Sequence, residues 1–521
     1  MARARTLLAF IFFLALSGCV VNPVTGKREL SVVTPAQEIS IGERQYVPAQ
    51  QMQGGEYAVD EALSRYVSSV GNRLATVSGV DLPYEFVVLN NSVPNAWALP
   101  GGKIAINRGL LVELGSEAEL AAVLGHEITH AAARHGARSI SRGMLLQGAL
   151  IAAAIGASNT EYAGAVVGAG QVAAGLITTK YGRDAEREAD YYGTRFMAAA
   201  GYDPQAAVAL QETFVRLSQG RQTSWMQGLF SSHPPSAERV ANNKLLVRQL
   251  RAEGITADKL GKSEYLTAMR TINKDKDAYA AFDEARSEFG KNNDTAALAK
   301  VNAALKLQPK EAAFHGLRGD IRRTQGRKSD ALINYNRAIG FDDGYYAYYL
   351  GRGLVRSLAA DSGQGASLAK ADLNKSVSLL PTAIAYEQLG KIAESEGNQD
   401  AALQYYEAAS KSGGAAGQTA LKSLWRIDLP RRPGEYLSAK VINTGRGPVL
   451  IVTNPTDVNV SDVVVKVDLA WKDGETVKTS GRAGSVSAQS SQQIRLRARD
   501  VPLVGARASI VSARVNSENS K

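Results

Sequence analysis

Residues 280 to 414 return to one pattern of small and aromatic side chains, and a repeat of this kind limits the fold more than any other feature. In YEQLGKIAESEGNQDAALQYYEAASKS (386–412) the recurring positions are Tyr386, Leu389, Gly390, Ala402, Tyr406 and Ala409. An earlier copy carries Gly319, Ala331, Tyr335 and Ala338 at the same offsets. A third keeps Leu350, Gly351 and Pro381, holds Ala347 in its first aromatic slot, and exceeds a 34-residue period by about six residues. The weakest copy comes first, with Ala297 and Ala304 ahead of Pro309. Small residues at fixed offsets let paired helices approach closely, and no such pair buries its apolar face alone. Several pairs must stack, which predicts an α-solenoid over 275–415.

The offsets are those of tetratricopeptide repeats. Beyond LPRRPGEY (429–436) the period drops to two: LSAKVINTG, PVLIVTN, VVVKVDLAW and QQIRLRARD alternate, with turns at NPTD, KDGE and SGRAGS. This predicts a β-sandwich-like domain over 432–516, with no visible site. Upstream, Thr34, Pro35 and Gln37 read as N-cap, first helical residue and capping-box partner. Residues 60–79 have helical periodicity, while 84–90 and 97–107 read as strands, the second broken by a Pro-Gly-Gly turn. A helix-rich stretch then runs to about residue 250. A chain of 521 residues has room for about three domains. The expected fold is multidomain and mainly α, with a helical domain carrying a small β-sheet over 19–255 ahead of the repeats.

The net charge of +10 is scattered among Asp and Glu rather than gathered beside aromatics, so no nucleic-acid partner is expected. At the N-terminus, Arg3 and Arg5 precede LLAFIFFLAL (7–16), which is too short for a bilayer span of about 20 residues. A charged start, a short apolar core and small residues at the end describe an export signal over 1–18. LSGC (16–19) resembles a bacterial lipobox, in which Cys19 becomes lipidated and anchors the protein to a membrane. Cys19 is the only cysteine, so it has no disulfide partner, and acylation gives it a role. Val20 in place of Asp favours the outer membrane, by resemblance to lipoprotein sorting. The expected location is the periplasm, lipid-anchored. VNPVTGKRELSVVT (21–34) reads as a polar tether. The Ala/Gly-rich pieces within 144–178 are each too short to span a bilayer and read as a helical hairpin.

VLGHEITHAAARHG (123–136) holds three of the five histidines. At about 100° per residue, His126 and His130 lie about 40° apart on one helical face, with Glu127 on the adjoining flank. Two neutral imidazoles so placed can meet one Zn²⁺, and the glutamate can serve as general base to a water. His135 falls about 180° from His126 on an unbroken helix and reads as a helix-end or surface residue. The longer motif with a third histidine ten residues after the first fails, because Gly136 stands there and Ala133 fills the glycine slot. A third ligand must come from elsewhere. YGRDAEREADYYGTRFMAAAGYDP (181–204) is the best supplier, with Glu186 and Asp190 sharing a face. Glu186 as ligand leaves Asp190 free to hold a ligand imidazole. Asp184 and Glu188 read as solvated charges.

HEITH, EREAD and GYDP, with NAWALPGG before and SSHPPSAER after, resemble the HtpX/BepA-type zinc metallopeptidases, relatives of the CAAX prenyl proteases, over roughly residues 20–250. The resemblance implies a zincin-type metalloprotease domain with one Zn²⁺ per chain, Glu186 as third ligand beside His126 and His130, and Glu127 as the base. It also implies an edge strand containing Asn95, Trp97, Ala98 and Leu99, which pairs with extended substrate, and His233 as a regulatory fourth ligand. The exported, repeat-bearing form is similar to the periplasmic BepA-like branch. The implied function is a membrane-anchored zinc metalloendopeptidase acting on misfolded, stalled or misassembled envelope proteins. In this view the repeats recruit clients or the outer-membrane assembly machinery. The alternative is mainly an assembly chaperone or scaffold with a latent zinc site. The chain departs from the pattern in its C-terminal β region, and it lacks the membrane helices of HtpX.

Overall fold

The computed structural model describes residues 19–144, 181–220, 233–358 and 363–516. The expected export signal and nearly all of the Ala/Gly-rich stretch lie outside the described residues. The chain divides into two compact units, Met1–Val355 with Ser378–Pro381, and Arg356–Val377 with Thr382–Lys521.

The first unit opens with a correction. The segment read as a tether is an antiparallel hairpin of β1 (Cys19–Val21) and β2 (Arg28–Leu30). Asn22 closes its turn, accepting from the Val24 and Thr25 amides at 3.0 and 3.2 Å. The Asn22 side-chain amide then donates to the Ala133 carbonyl, and the Ser31 and Ser141 hydroxyls pair at 3.3 Å. A polar composition here marks a docked turn, because its polar groups find partners on the body.

Helix α1 (Pro35–Met52) starts at a complete Thr34/Gln37 capping box, and α2 (Glu61–Ser78) runs from an Asp60 cap to a left-handed Gly79. Strands β3 (Glu85–Leu89), β4 (Ala96–Leu99) and β5 (Lys103–Asn107) form a sheet of order β3-β5-β4, with β4 antiparallel at one edge. The Asn107 amide donates to the Asn95 carbonyl, so by antiparallel alternation Trp97 and Leu99 bond β5. The main-chain groups of Ala96 and Ala98 turn to the outer edge, which no strand among the described residues covers. Helices α3 (Glu117–Ala132), α4 (Arg183–Ala199), α5 (Gln205–Gly220) and α6 (Ala237–Ala252) complete the region around this sheet.

The repeats begin with α7 (Lys276–Gly290), α8 (Asp294–Leu307), α9 (Ala312–Thr324), α10 (Lys328–Phe341) and α11 (Tyr346–Ser357). One core runs without interruption from Tyr57 through Ile128, Tyr202 and Ile272 to Phe314 and Ile321. A methyl on Gly319 would stand 2.7 Å from the Tyr335 ring, so the repeat's glycine is the seat of its tyrosine.

In the second unit, α12 (Gly363–Leu379), α13 (Ala383–Ser395), α14 (Gln399–Ser410) and α15 (Gly414–Asp428) continue the helical pairs. Gly390 seats Tyr406 in the same way. Strands β6 (Ser438–Thr444), β7 (Gly447–Asn454), β8 (Val460–Trp471), β9 (Thr476–Val486), β10 (Ser490–Arg495) and β11 (Leu503–Val515) follow. They form two three-stranded sheets, β10-β7-β6 and β11-β8-β9, around Leu450, Val452, Val463, Val465 and Val467. The fold is multidomain and mainly helical, with a strand-rich C-terminal region.

Glu117, 3% exposed, ties the first unit together: its carboxylate accepts from Tyr66 at 2.7 Å, Tyr202 at 2.6 Å, Arg73 at 3.1 Å and Lys259 at 2.6 Å. Burial opposes its charge, but these donors outweigh burial and pull the carboxyl down to about 2. The Glu117 contribution is therefore present above its ordinary 4.5 and is lost as pH falls toward 2. Glu117→Ala should destabilise the fold by about 3 kcal/mol at pH 7, because two tyrosine hydroxyls lose their acceptor. In denaturant melts the gap to wild type should narrow as pH drops from 5 toward 2.

Candidate metal centre

Two helices make the site, and they meet without side chains between them. Helix α3 is capped by Ser116, whose hydroxyl accepts from the Glu119 amide, and carries His126, Glu127 and His130. Helix α4 carries Glu186 and Asp190 in its first turns. Where they cross, a methyl on Gly193 would lie 2.7 Å from the His126 amide nitrogen, and one on Gly125 would lie 2.8 Å from the Gly193 carbonyl oxygen. Only glycine at both positions permits this approach.

The approach brings His126, His130 and Glu186 together, and the segment ahead of α6 adds His233 as a fourth donor. His126 Nε2 and His130 Nε2 are 3.0 Å apart, His126 Nε2 and His233 Nδ1 are 3.2 Å apart, and His233 Nδ1 is 3.0 Å from Glu186 Oε1. Glu186 oxygens stand 3.5 Å from His130 Nε2 and 3.6 Å from His126 Nε2. An ion bound tetrahedrally at about 2.0–2.1 Å puts its ligands about 3.3–3.4 Å from one another, which these separations bracket. Imidazole lone pairs crowded this way repel each other unless a cation sits between them. His126, His130 and Glu186 are spaced to hold one divalent metal, the four donor atoms including His233 lie within 4.8 Å of one another, and among the described residues this is the one such cluster.

Charge in the site is balanced by burial and neighbours. Burial lowers His130 well below the ordinary imidazole value and keeps it neutral. For Glu186, burial opposes ionisation, but the neighbouring imidazoles of His233 and His130 hold its carboxyl far below the usual range. Burial pushes Glu127 up. Glu127 is 2% exposed, its Oε2 receives no hydrogen bond, and its Oε1 lies 3.7 Å from His233 Nε2. His233 therefore stands between Glu186 and Glu127, across the space that the Glu127 carboxylate faces.

Asp190 Oδ1 lies 3.1 Å from His126 Nδ1, so the His126 proton on Nδ1 leaves Nε2 free to face the cluster. Arg239 clamps Asp190 through two bonds of 2.7 and 2.8 Å, stands 3.2 Å from Glu186, and donates to the Pro234 carbonyl beside His233. Burial opposes the Asp190 charge, and Arg239 overcomes it. Arg239 is a site residue that no local sequence pattern marks. It sits in the SSHPPSAER stretch, and a lone arginine three residues after the Ser236 cap carries no periodic signal. Tyr181, likewise unmarked, stacks on His130 with centroids 4.0 Å apart.

His135 is a second correction. It is 2% exposed, its Nδ1 is 2.8 Å from His130 Nδ1, and its Nε2 is 3.1 Å from Glu188 Oε2. Helix α3 stops at Ala132, Arg134 takes a left-handed φ of 60°, and the chain re-enters a helix over 135–144. That break turns His135 back over His130, where an unbroken helix would carry it to the far side. Glu188 is likewise half-buried rather than solvated. His135 and Arg138 outweigh its burial and hold it at about 2. Asp184, in contrast, is exposed.

Residues 61–245 match the sequence profile of peptidase family M48. The chain is 28% identical over 257 residues to the beta-barrel assembly-enhancing protease of Escherichia coli K12, covering 48% of this chain and 51% of that protein. It is 36% identical over 182 residues to the mitochondrial metalloendopeptidase OMA1 of Schizosaccharomyces pombe, covering 34% and 50%. It is 32% identical over 181 residues to metalloprotease YcaL of Escherichia coli K12, covering 33% of this chain and 68% of that protein. The matched stretch spans about half the length of the first two relatives. With its histidines and glutamates converging within the matched region, this chain belongs to peptidase family M48.

Proposed function

We propose that the chain is a membrane-anchored periplasmic zinc metalloendopeptidase that hydrolyses peptide bonds in misfolded or stalled envelope proteins. The observation that carries this reading is the convergence of four donor atoms beside the unpartnered, buried oxygen of Glu127. The similarity to an assembly-enhancing protease and to a metalloendopeptidase supports it. His126, His130 and Glu186 would hold one Zn²⁺. Bound zinc supplies Lewis-acid polarisation of the scissile carbonyl and lowers the pKa of water. Glu127 takes the proton from the attacking water and passes it to the leaving amine.

Substrate enters along β4. The side chains of Trp97 and Leu99 pack inward with Tyr46, and those of Ala96 and Ala98 join the main core. Ala96 to Leu99 therefore offers main chain alone, and an extended peptide pairing along Asn95 to Leu99 is read mainly by backbone rather than by sequence. That suits unfolded clients. The repeats recruit clients or assembly machinery, and an acyl chain on Cys19 holds the enzyme at the outer membrane. Among the described residues no helix is long and apolar enough to cross a membrane.

His233 as a fourth ligand closes the site, and its position before Glu127 favours a second reading, an assembly chaperone or scaffold with a latent zinc site. The two readings separate by mutation. Metal analysis should find stoichiometric zinc in wild type and in Glu127→Gln, and most of it gone in Glu186→Ala. Unchanged zinc in the last variant contradicts the ligand assignment. Casein hydrolysis should fall by about 100-fold or more in Glu127→Gln. If that variant restores every phenotype of a null strain, the scaffold reading stands instead. His233→Ala should raise basal casein cleavage severalfold, and an unchanged rate rules out the latch.

A further inference from the structure

We propose that His135 is a positioning residue for the metal: it holds His130 with its proton on Nδ1 and its Nε2 lone pair toward the cluster, while the N-terminal hairpin holds His135 through Glu29, Arg138 and Glu188. The inference rests on the zinc reading above and assigns a role to residues outside the ligand set.

The carboxylate of Glu188 sets the outermost proton of the relay. Glu188 Oε2 is an acceptor, so the His135 nitrogen 3.1 Å away, Nε2, is its donor. His130 turns Nε2 to the cluster, so as a ligand it keeps its proton on Nδ1, and His135 meets that proton with Nδ1. The two Nδ1 atoms are 2.8 Å apart. His130 Nε2 lies 3.0 Å from His126 Nε2 and 3.5 Å from Glu186. Asp190 sets His126 the same way by a direct carboxylate bond. His130 reaches its carboxylate through one more ring.

Glu188 is itself held. Arg138 donates to it at 3.1 Å and to Glu29 at 2.9 Å. Asn22 donates to Glu29 at 3.1 Å and to the Ala133 carbonyl at 3.2 Å, at the helix break that aims His135. Arg134, in the left-handed turn, is fixed by Glu38 and by the Val33 carbonyl at 2.8 Å. The hairpin that starts at Cys19 thus supports both the turn and the far carboxylate, five residues deep from the metal ligand.

The test is zinc affinity of the full chain, measured by competition between Zn²⁺ and a chromophoric chelator. Outer-shell partners of metal ligands typically contribute 10–100-fold in affinity. His135→Leu should lose about that factor, and Glu188→Ala about threefold to tenfold. His135→Asn, which keeps an acceptor facing His130, should stay within about threefold of wild type. Imidazole ¹⁵N spectra of the zinc-free chain should show His130 protonated on Nδ1 in wild type and a tautomer mixture in Glu188→Ala. If both His135→Leu and Glu188→Ala bind zinc within twofold of wild type, the proposal is overturned. Should His135→Leu fail to fold, Glu188→Ala and its His130 tautomer decide alone. A wild-type chain that binds no zinc instead defeats the underlying metal reading.

Discussion

Helices α3 and α4 touch backbone to backbone at Gly125 and Gly193, and the distance between two side-chain sets follows from that contact. With side chains at the crossing, helix axes stand about 8–10 Å apart. Glycine on both sides lets the first turns of α4 reach the face of α3 that carries His126 and His130. The spacings of 3.5 and 3.6 Å from Glu186 to His130 and His126 are a consequence. The core that packs behind α3, from Val67 and Val70 to Met197 and Tyr202, keeps the crossing from opening.

So close a cluster concentrates buried charge, and the structure answers each charge locally. Glu186 faces three imidazoles, Asp190 faces His126 and the Arg239 fork, and Glu188 faces His135 and Arg138. Removing one member of such a set strands the others in a medium that solvates them poorly. Glu186 Oε2 and Glu127 Oε2 are both buried without a hydrogen bond, but Glu186 has Arg239 at 3.2 Å and Glu127 stands apart. Its second oxygen lacks a donor, and an unsatisfied buried carboxylate oxygen is costly unless a water or substrate group completes it. The unsatisfied group lies where the proposed chemistry needs a base.

Much of this was legible in the chain. The four-residue spacing of His126 and His130 fixes their shared face through helix geometry alone, and Glu186 and Asp190 obey the same rule. The repeats were readable because Gly319, Gly390 and their tyrosines are locked together by contact, so spacing and packing are one fact. What local pattern does not carry has separate physical causes. Periodicity assumes a continuous helix, and the break after Ala132 uses neither glycine nor proline; Arg134 adopts the left-handed turn, held by Glu38 and Val33. His135 and Glu188 were misplaced for that reason. The docked hairpin at 19–30 escaped because its polar residues pair with partners more than a hundred positions away, and Arg239 because it acts through contacts that no local pattern encodes.

The central claim is that three histidines and one glutamate converge on a single ion. Zinc-edge X-ray absorption on the full, resting chain tests it most directly. The account predicts four nitrogen or oxygen neighbours at about 2.0–2.1 Å, with the multiple-scattering signature of three imidazoles. A first shell with two imidazoles or fewer, or an oxygen-rich six-coordinate shell, would contradict it.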